Sequence, residues 1–211
     1  MLITCGPAND RRTFNIYIPV WPKKIGVTVS GGLDSAILLY IVAKLNKALP
    51  QPKELIPFTV PRTDGAYRYS PDIVQYVNRV LDLNLPAPVQ VGDPSVHHSK
   101  QVETGTLEVL NTGIADYIFY GSQQTPPEQW PMPGLYPERP THNNYKRAQV
   151  PFVELDKRHT LELYYQFGQE ELLELSHSCT EQQVGRCGQC FQCAERHWAF
   201  TQLTKRDPGI Q

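Results

Sequence analysis

The sequence predicts an α/β fold, a doubly wound parallel sheet with a small cysteine-bearing knuckle near its C-terminal end. Three observations carry that prediction. Short β-prone runs alternate with segments of helical periodicity. A glycine pair, Gly31-Gly32, joins one such run directly to a helix, the opening unit of a parallel sheet. Four of the five cysteines, Cys179, Cys187, Cys190 and Cys193, crowd into fifteen positions late in the chain.

Taken in order, Thr13 to Val20 reads as an initial strand broken by Pro22. Lys24 to Val29 follows as a strand with Ile25, Val27 and Val29, and Ser35 to Leu45 as a helix with Leu38, Ile41, Val42 and Leu45 on one face. Glu54 to Val60 is the next strand. Ser70 is expected to cap a helix that begins at Pro71 and buries Ile73, Val74, Val77, Val80 and Leu81. Pro88 to Val91 is a short strand, Gln101 to Ala115 a helix despite Gly105 and Gly113, and Tyr117 to Tyr120 a strand ending at Gly121. The proline-rich stretch 126–151 is expected to be mainly loop, either an active-site cover or disordered. Beyond it, Val150 to Leu155 reads as a strand, and Thr160 to Phe167 and Glu170 to Leu175 as helices separated by Gly168. Ala194 to Leu203 closes the chain as a helix. The expected division is a nucleotide-binding α/β domain over 1–175 and a C-terminal helical segment with the cysteine knuckle over 176–211.

At 211 residues the chain can bury a substantial core. Its net charge is -1, from 20 Lys and Arg against 21 Asp and Glu, which gives no general electrostatic case for nucleic-acid binding. No stretch approaches 18 apolar residues, so no membrane partner is expected. Met1 to Asp10 lacks a basic region followed by an apolar run and does not read as a secretory signal. An odd, clustered set of cysteines suits a metal site in a reducing compartment better than a disulfide framework, so the expected location is cytoplasmic.

The turn Ser30-Gly31-Gly32-Leu33-Asp34-Ser35 sits between a strand and a helix, at the sheet edge where ligands bind in such folds. Helix N-termini present N–H groups and a positive dipole end to phosphate, and Gly31 and Gly32 let the backbone approach without a Cβ. Ser30 and Ser35 offer hydroxyls. Asp34, an anion, is suited to holding Mg²⁺ or orienting the loop. The loop has no lysine and is therefore not a Walker A element, and it does not fit G-x-G-x-x-G. S-G-G-x-D-S after an apolar strand resembles the pyrophosphate loop of the ATP-pyrophosphatase superfamily, whose members split ATP between the α and β phosphates.

The cysteines follow C-x7-C-x2-C-x2-C. Four thiolates form a natural tetrahedral Zn²⁺ site, closed to water and therefore structural. C-x2-C-x2-C also opens a ferredoxin-type iron–sulfur run, and free cysteines are the third reading. His177 is an alternative ligand that four cysteines make unnecessary, and Cys5 stands alone.

With both motifs in place, the chain resembles the 7-cyano-7-deazaguanine synthases. The resemblance rests on Ser30 to Ser35, on Pro151-Phe152-Val153-Glu154-Leu155-Asp156-Lys157 before a helix, and on Cys179 to Cys193 with Gly185 before the knuckle and Arg196 after it. It implies a Rossmann-like sheet of the adenine nucleotide alpha hydrolase type, with ATP, Mg²⁺ and Zn²⁺ as cofactors and a homodimeric assembly. It also implies a reaction in which the carboxylate of 7-carboxy-7-deazaguanine is adenylated and ammonia gives the amide. A second adenylation then gives the nitrile, and AMP and pyrophosphate are released. Asp34 and Lys157 are the candidate catalytic groups, Lys157 for charge on phosphate, and Asp156 either caps its helix or takes part in the chemistry. Two segments depart from the family: Asp93 to Lys100, where members carry proline-glycine-arginine-asparagine, and Ser122 to Pro127, where they carry acidic and aromatic residues. The alternatives are amide formation on a related 7-deazapurine acid, ligation to another small carboxylic acid, sulfur transfer to tRNA by the same adenylation, and a non-enzymatic module that keeps the nucleotide loop.

Overall fold

A computed structural model describes residues 1–62, 64–93, 98–127 and 144–209. Its centre is a sheet in the order β5-β4-β3-β6-β8-β7. The strands are β3 (Lys24–Thr28), β4 (Glu54–Thr59), β5 (Val89–Gln90), β6 (Tyr117–Phe119), β7 (Asn144–Tyr145) and β8 (Ala148–Gln149). Five of them run parallel, and β7 pairs antiparallel with β8 at one edge. The predicted α/β class and doubly wound sheet are borne out.

Chain order runs outward from β3 to β4 and β5 on one side and to β6 and β8 on the other. The carboxyl ends of β3 and β6 therefore form the point where the winding reverses, the usual ligand position in open α/β sheets. Apolar clusters cover both faces. Phe58, Val91, Val109, Ala115 and Ile118 pack under α3 (His98–Asn111). The larger cluster joins the sheet to α1 (Leu33–Lys47), α2 (Ser70–Leu81), α4 (Lys157–Phe167), α5 (Glu170–Glu174) and α6 (Phe191–Gln202). Trp198, Ala199 and Phe200 of α6 belong to that same core.

Several elements differ from the sequence reading. The N-terminal strand is shorter, β2 (Arg12–Asn15), and pairs antiparallel with an unforeseen β1 (Leu2–Cys5) outside the main sheet. Phe14 meets Phe152 edge-on at 5.3 Å, so the hairpin is seated on the core. α1 is buried from Leu33 to Ala43 apart from Asp34, well beyond one face, because it lies between β3 and the helices α2, α4 and α5. Ser70 does not cap α2 through its side chain. A 3-10 turn over Ala66–Tyr69 runs straight into the helix, and the Ser70 hydroxyl donates back to Tyr67 O at 2.6 Å. Val80, expected inside, is exposed. Val150 to Leu155 is no strand. It forms a turn closed by Val153 N to Val150 O and Leu155 N to Phe152 O, and its apolar residues are buried as packing. The 126–151 stretch includes the β7–β8 hairpin, and its remainder from 128 to 143 lies outside the described residues.

α4 begins three residues before the predicted Thr160, and Asp156 explains why. The Asp156 carboxylate accepts from Arg158 N at 3.0 Å while His159 Nδ1 reaches back to Asp156 N, a capping box that starts the helix at Lys157. Gly168 ends it in the left-handed region.

Candidate active site

The phosphate loop turns at the carboxyl end of β3. Gly31 has φ +87°, and a Cβ there would stand 1.8 Å from Ala66 O, so only glycine fits under the 66–69 turn. Gly32 caps α1 in an extended conformation. The two serines stitch the loop together. Ser35 Oγ accepts from Ser30 N at 3.0 Å, donates to Gly32 O at 3.1 Å and touches Ser30 Oγ at 3.0 Å. Across the switch point, a Cβ on Gly121 would lie 3.3 Å from the Asp34 backbone, so the loop after β6 packs directly on the first turn of α1.

Asp34 and Lys157, read from separate motifs, meet here. Lys157 Nζ lies 2.5 Å from Asp34 Oδ2 and 3.2 Å from Glu195 Oε2. Thr160, one turn along α4, donates to Asp34 Oδ1 at 2.8 Å. The Gln123 amide fits with Nε2 donating to Asp34 Oδ1 and Thr160 Oγ1, and Oε1 accepting from Lys157 Nζ at 3.2 Å. Lys157, Gln123 and Glu195 are all buried, whereas the Asp34 side chain keeps 19% of its exposure. Sequence reading missed Glu195 and Thr160 and marked Gln123 only as part of a departing segment. The signal for Thr160 was its i, i+3 spacing from Lys157, which puts both on one helix face. Nothing local singled out Glu195. The departing segment Asp93 to Lys100 lies largely outside the described residues.

A cavity of about 520 Å³ opens above this cluster, lined by Ser30, Gly32 and Asp34, by Thr59 at the end of β4 and Arg62 beyond it, and by Lys157. That volume suits a small organic ligand. The Thr59 hydroxyl is buried there with no hydrogen-bond partner among the described residues, and Arg62 is held by Asp64 at 3.1 Å.

The knuckle borders the same cavity. His177 N donates to Gly31 O at 2.8 Å, and Cys179 lines the cavity wall. His177 is not turned toward the cysteines as a ligand. Its ring stacks on Tyr69 at 4.6 Å, its Nε2 bonds Gln182 O, and burial lowers its pKa against the opposing backbone hydrogen bonds.

The four cysteine sulfurs all lie within 4.8 Å of one another. A tetrahedron of thiolates around one Zn²⁺ has edges of about 3.8 Å, so the set fits a single ion with small adjustment. The chemistry of the donors agrees: Gln182 N and Cys190 N point at Cys179 Sγ and Cys187 Sγ at 3.2 Å each. Burial raises the Cys190 pKa, but hydrogen bonds from Thr180 and Cys193 outweigh it and bring it to about 6. Arg196, just after the knuckle, is buried and paired with Asp207 through two 2.9 Å bonds, while Ser176 takes a third. A second group of metal-type side chains, Asp10, Asp156 and His159, is already engaged by the guanidinium groups of Arg12 and Arg158.

The fold and the loop define an α/β protein with a glycine-rich turn at the switch point of its parallel sheet. The family model described as "Queuosine biosynthesis protein QueC" matches residues 140–204, the part that carries Lys157, the four cysteines and Arg196. Over that stretch the chain is similar to QueC proteins, and the likeness supports an ATP-using enzyme. Among solved structures, the U34-tRNA thiolase NcsA from Methanococcus maripaludis, with its 4Fe-4S cluster, is similar at 13% identity. That similarity covers 86% of this chain and 70% of that one, with a TM-score of 0.47. No curated protein matches the sequence. No helix among the described residues is long and apolar enough to cross a membrane.

Proposed function

We propose that this protein is an ATP-dependent carbon–nitrogen ligase that adenylates a 7-deazapurine carboxylic acid and amidates it with ammonia, with 7-carboxy-7-deazaguanine as the first substrate to test. The observation that carries the reading is the meeting of Asp34 and Lys157 at the phosphate loop, beside a cavity of ligand size. The loop backbone and the N-terminus of α1 hold the phosphate chain. The substrate carboxylate attacks the α-phosphorus, its bond to pyrophosphate breaks, and the acyl adenylate forms. Lys157 stabilises charge on the phosphoryl oxygens, and the closed cluster beneath it fixes its position. Ammonia displaces AMP to give the amide. A second adenylation, on the amide oxygen, followed by elimination gives the nitrile.

Asp34 is the residue to hold Mg²⁺, which supplies charge neutralisation at the phosphates when bound. Cys179, Cys187, Cys190 and Cys193 would hold Zn²⁺ in a closed, structural site.

The test is separation of nucleotide products with the acid and ammonium present. AMP and pyrophosphate support the reading, with two AMP per nitrile or one per amide. ADP as the main product defeats it. A second reading, sulfur transfer to tRNA through the same adenylation, is favoured by one observation, the place of Cys179 on the cavity wall. Iron and sulfide in anaerobically purified protein would support it, and zinc alone would speak against it.

A further inference from the structure

Lys157 has two carboxylates, and they are unlike. Asp34 faces the cavity and retains 19% side-chain exposure, whereas Glu195 is fully buried at 0%. Asp34 lines the cavity and Glu195 does not. A carboxylate taken out of water in this way is costly unless an opposite charge holds it, and Lys157 Nζ at 3.2 Å is that charge. The lysine thus sits between an outer acid that a ligand can reach and an inner acid that it cannot. A phosphate chain and its cation compete for the outer contact.

We propose that Glu195 is a positioning residue that anchors Lys157 from within. When a nucleotide engages Asp34, the anchor holds the ammonium in place and leaves it available to the phosphates. The placement of Glu195 adds a second link. It lies on α6, two residues past Cys193, and the Cys190 side chain caps that helix by accepting from Cys193 N. The residues that would hold the metal therefore fix the start of the helix that carries the anchor. The cysteine centre aligns a charge in the active site in addition to any role in folding.

The inference rests on the proposed function only in taking ATP phosphate as the ligand, so its test needs no acceptor acid. Affinity for ATP in the presence of Mg²⁺ is measured by titration calorimetry on the metal-loaded full chain. The forms compared are wild type, Glu195→Gln, Lys157→Met and the double variant. Glu195→Gln should weaken ATP binding on the order of tenfold when Lys157 is present and have no further effect when it is Met. A purely structural role would not depend on the lysine. Unchanged or tighter binding in Glu195→Gln, or the same loss in both backgrounds, overturns the proposal. Thermal unfolding of each variant checks that it is folded. Should the Gln variant fail to fold, Glu195→Asp keeps the charge on a shorter arm and should show a smaller loss confined to the lysine background. A loss without that dependence overturns the proposal. Wild-type protein that binds no ATP overturns both readings, whereas intact binding without coupling overturns this one alone.

Discussion

Lys157 Nζ and Asp34 Oδ2 lie 2.5 Å apart although the two residues are 123 positions apart in the chain. Replacing Asp34 by Asn keeps the side-chain shape and an acceptor for Thr160 but removes the charge. Mg²⁺-dependent AMP release should fall by about a hundredfold with the fold intact by circular dichroism. An unchanged rate with an unchanged Mg²⁺ requirement would refute the role. Ser30→Ala should be milder, because backbone N–H groups still face the phosphate and Ser35 keeps its bond to Gly32 O.

Elemental analysis of purified protein should find one Zn²⁺ per chain, as four sulfurs within 4.8 Å of one another require of a single-ion site. Cys190→Ala removes one thiolate together with the cap of α6, and should lower the soluble yield before any single catalytic step is affected. A folded, zinc-free and fully active variant would rule out the structural role.

Acid should loosen the junction between the β1–β2 hairpin and α4. Burial raises the Asp156 pKa, but hydrogen bonds from His159 and Arg158 overcome it and hold the carboxyl well below its ordinary range. A pKa depressed in the folded state contributes stability above the unfolded value of about 3.9 and loses it as pH falls through that value toward the folded one. Urea denaturation should therefore show falling stability from about pH 5 downward. Asp156→Asn should be less stable at neutral pH by about 1–3 kcal/mol and have a shallower acid limb. Equal acid slopes in the two proteins would contradict this.

Gly31→Ala should abolish nucleotide binding, since the new methyl would collide with Ala66 O and the φ of +87° is strained for any side chain. Gly121→Ala, whose methyl would meet the Asp34 backbone at 3.3 Å, should bind ATP more weakly without unfolding. Titration calorimetry with ATP distinguishes the two. Wild-type affinity in Gly31→Ala would show that the loop does not hold the ligand.

Where local signals were strong, the sequence was a good guide. Strand, glycine turn and helix around Gly31 place the loop because backbone freedom and helix-start chemistry are local properties. Asp156 was read as either cap or catalyst, and its geometry makes it the cap. Apolar content misled at Val150 to Leu155, where hydrophobicity marks burial and says little about backbone shape when Pro151 cannot join a ladder. The β1–β2 hairpin escaped notice because its strands are short and half exposed. Glu195 was illegible for a deeper reason. Its meaning comes from Lys157, which only tertiary folding brings to it.

The bond from His177 N to Gly31 O also bears on the order of events during synthesis. The phosphate loop leaves the ribosome before its neighbours on α4, at the knuckle and on α6 are made. Long-range contacts of this kind are slow to form. Until the last of them arrives, the nascent chain carries a glycine loop with neither its lysine nor the segment that closes over it. A chain interrupted before the cysteines therefore lacks a complete site.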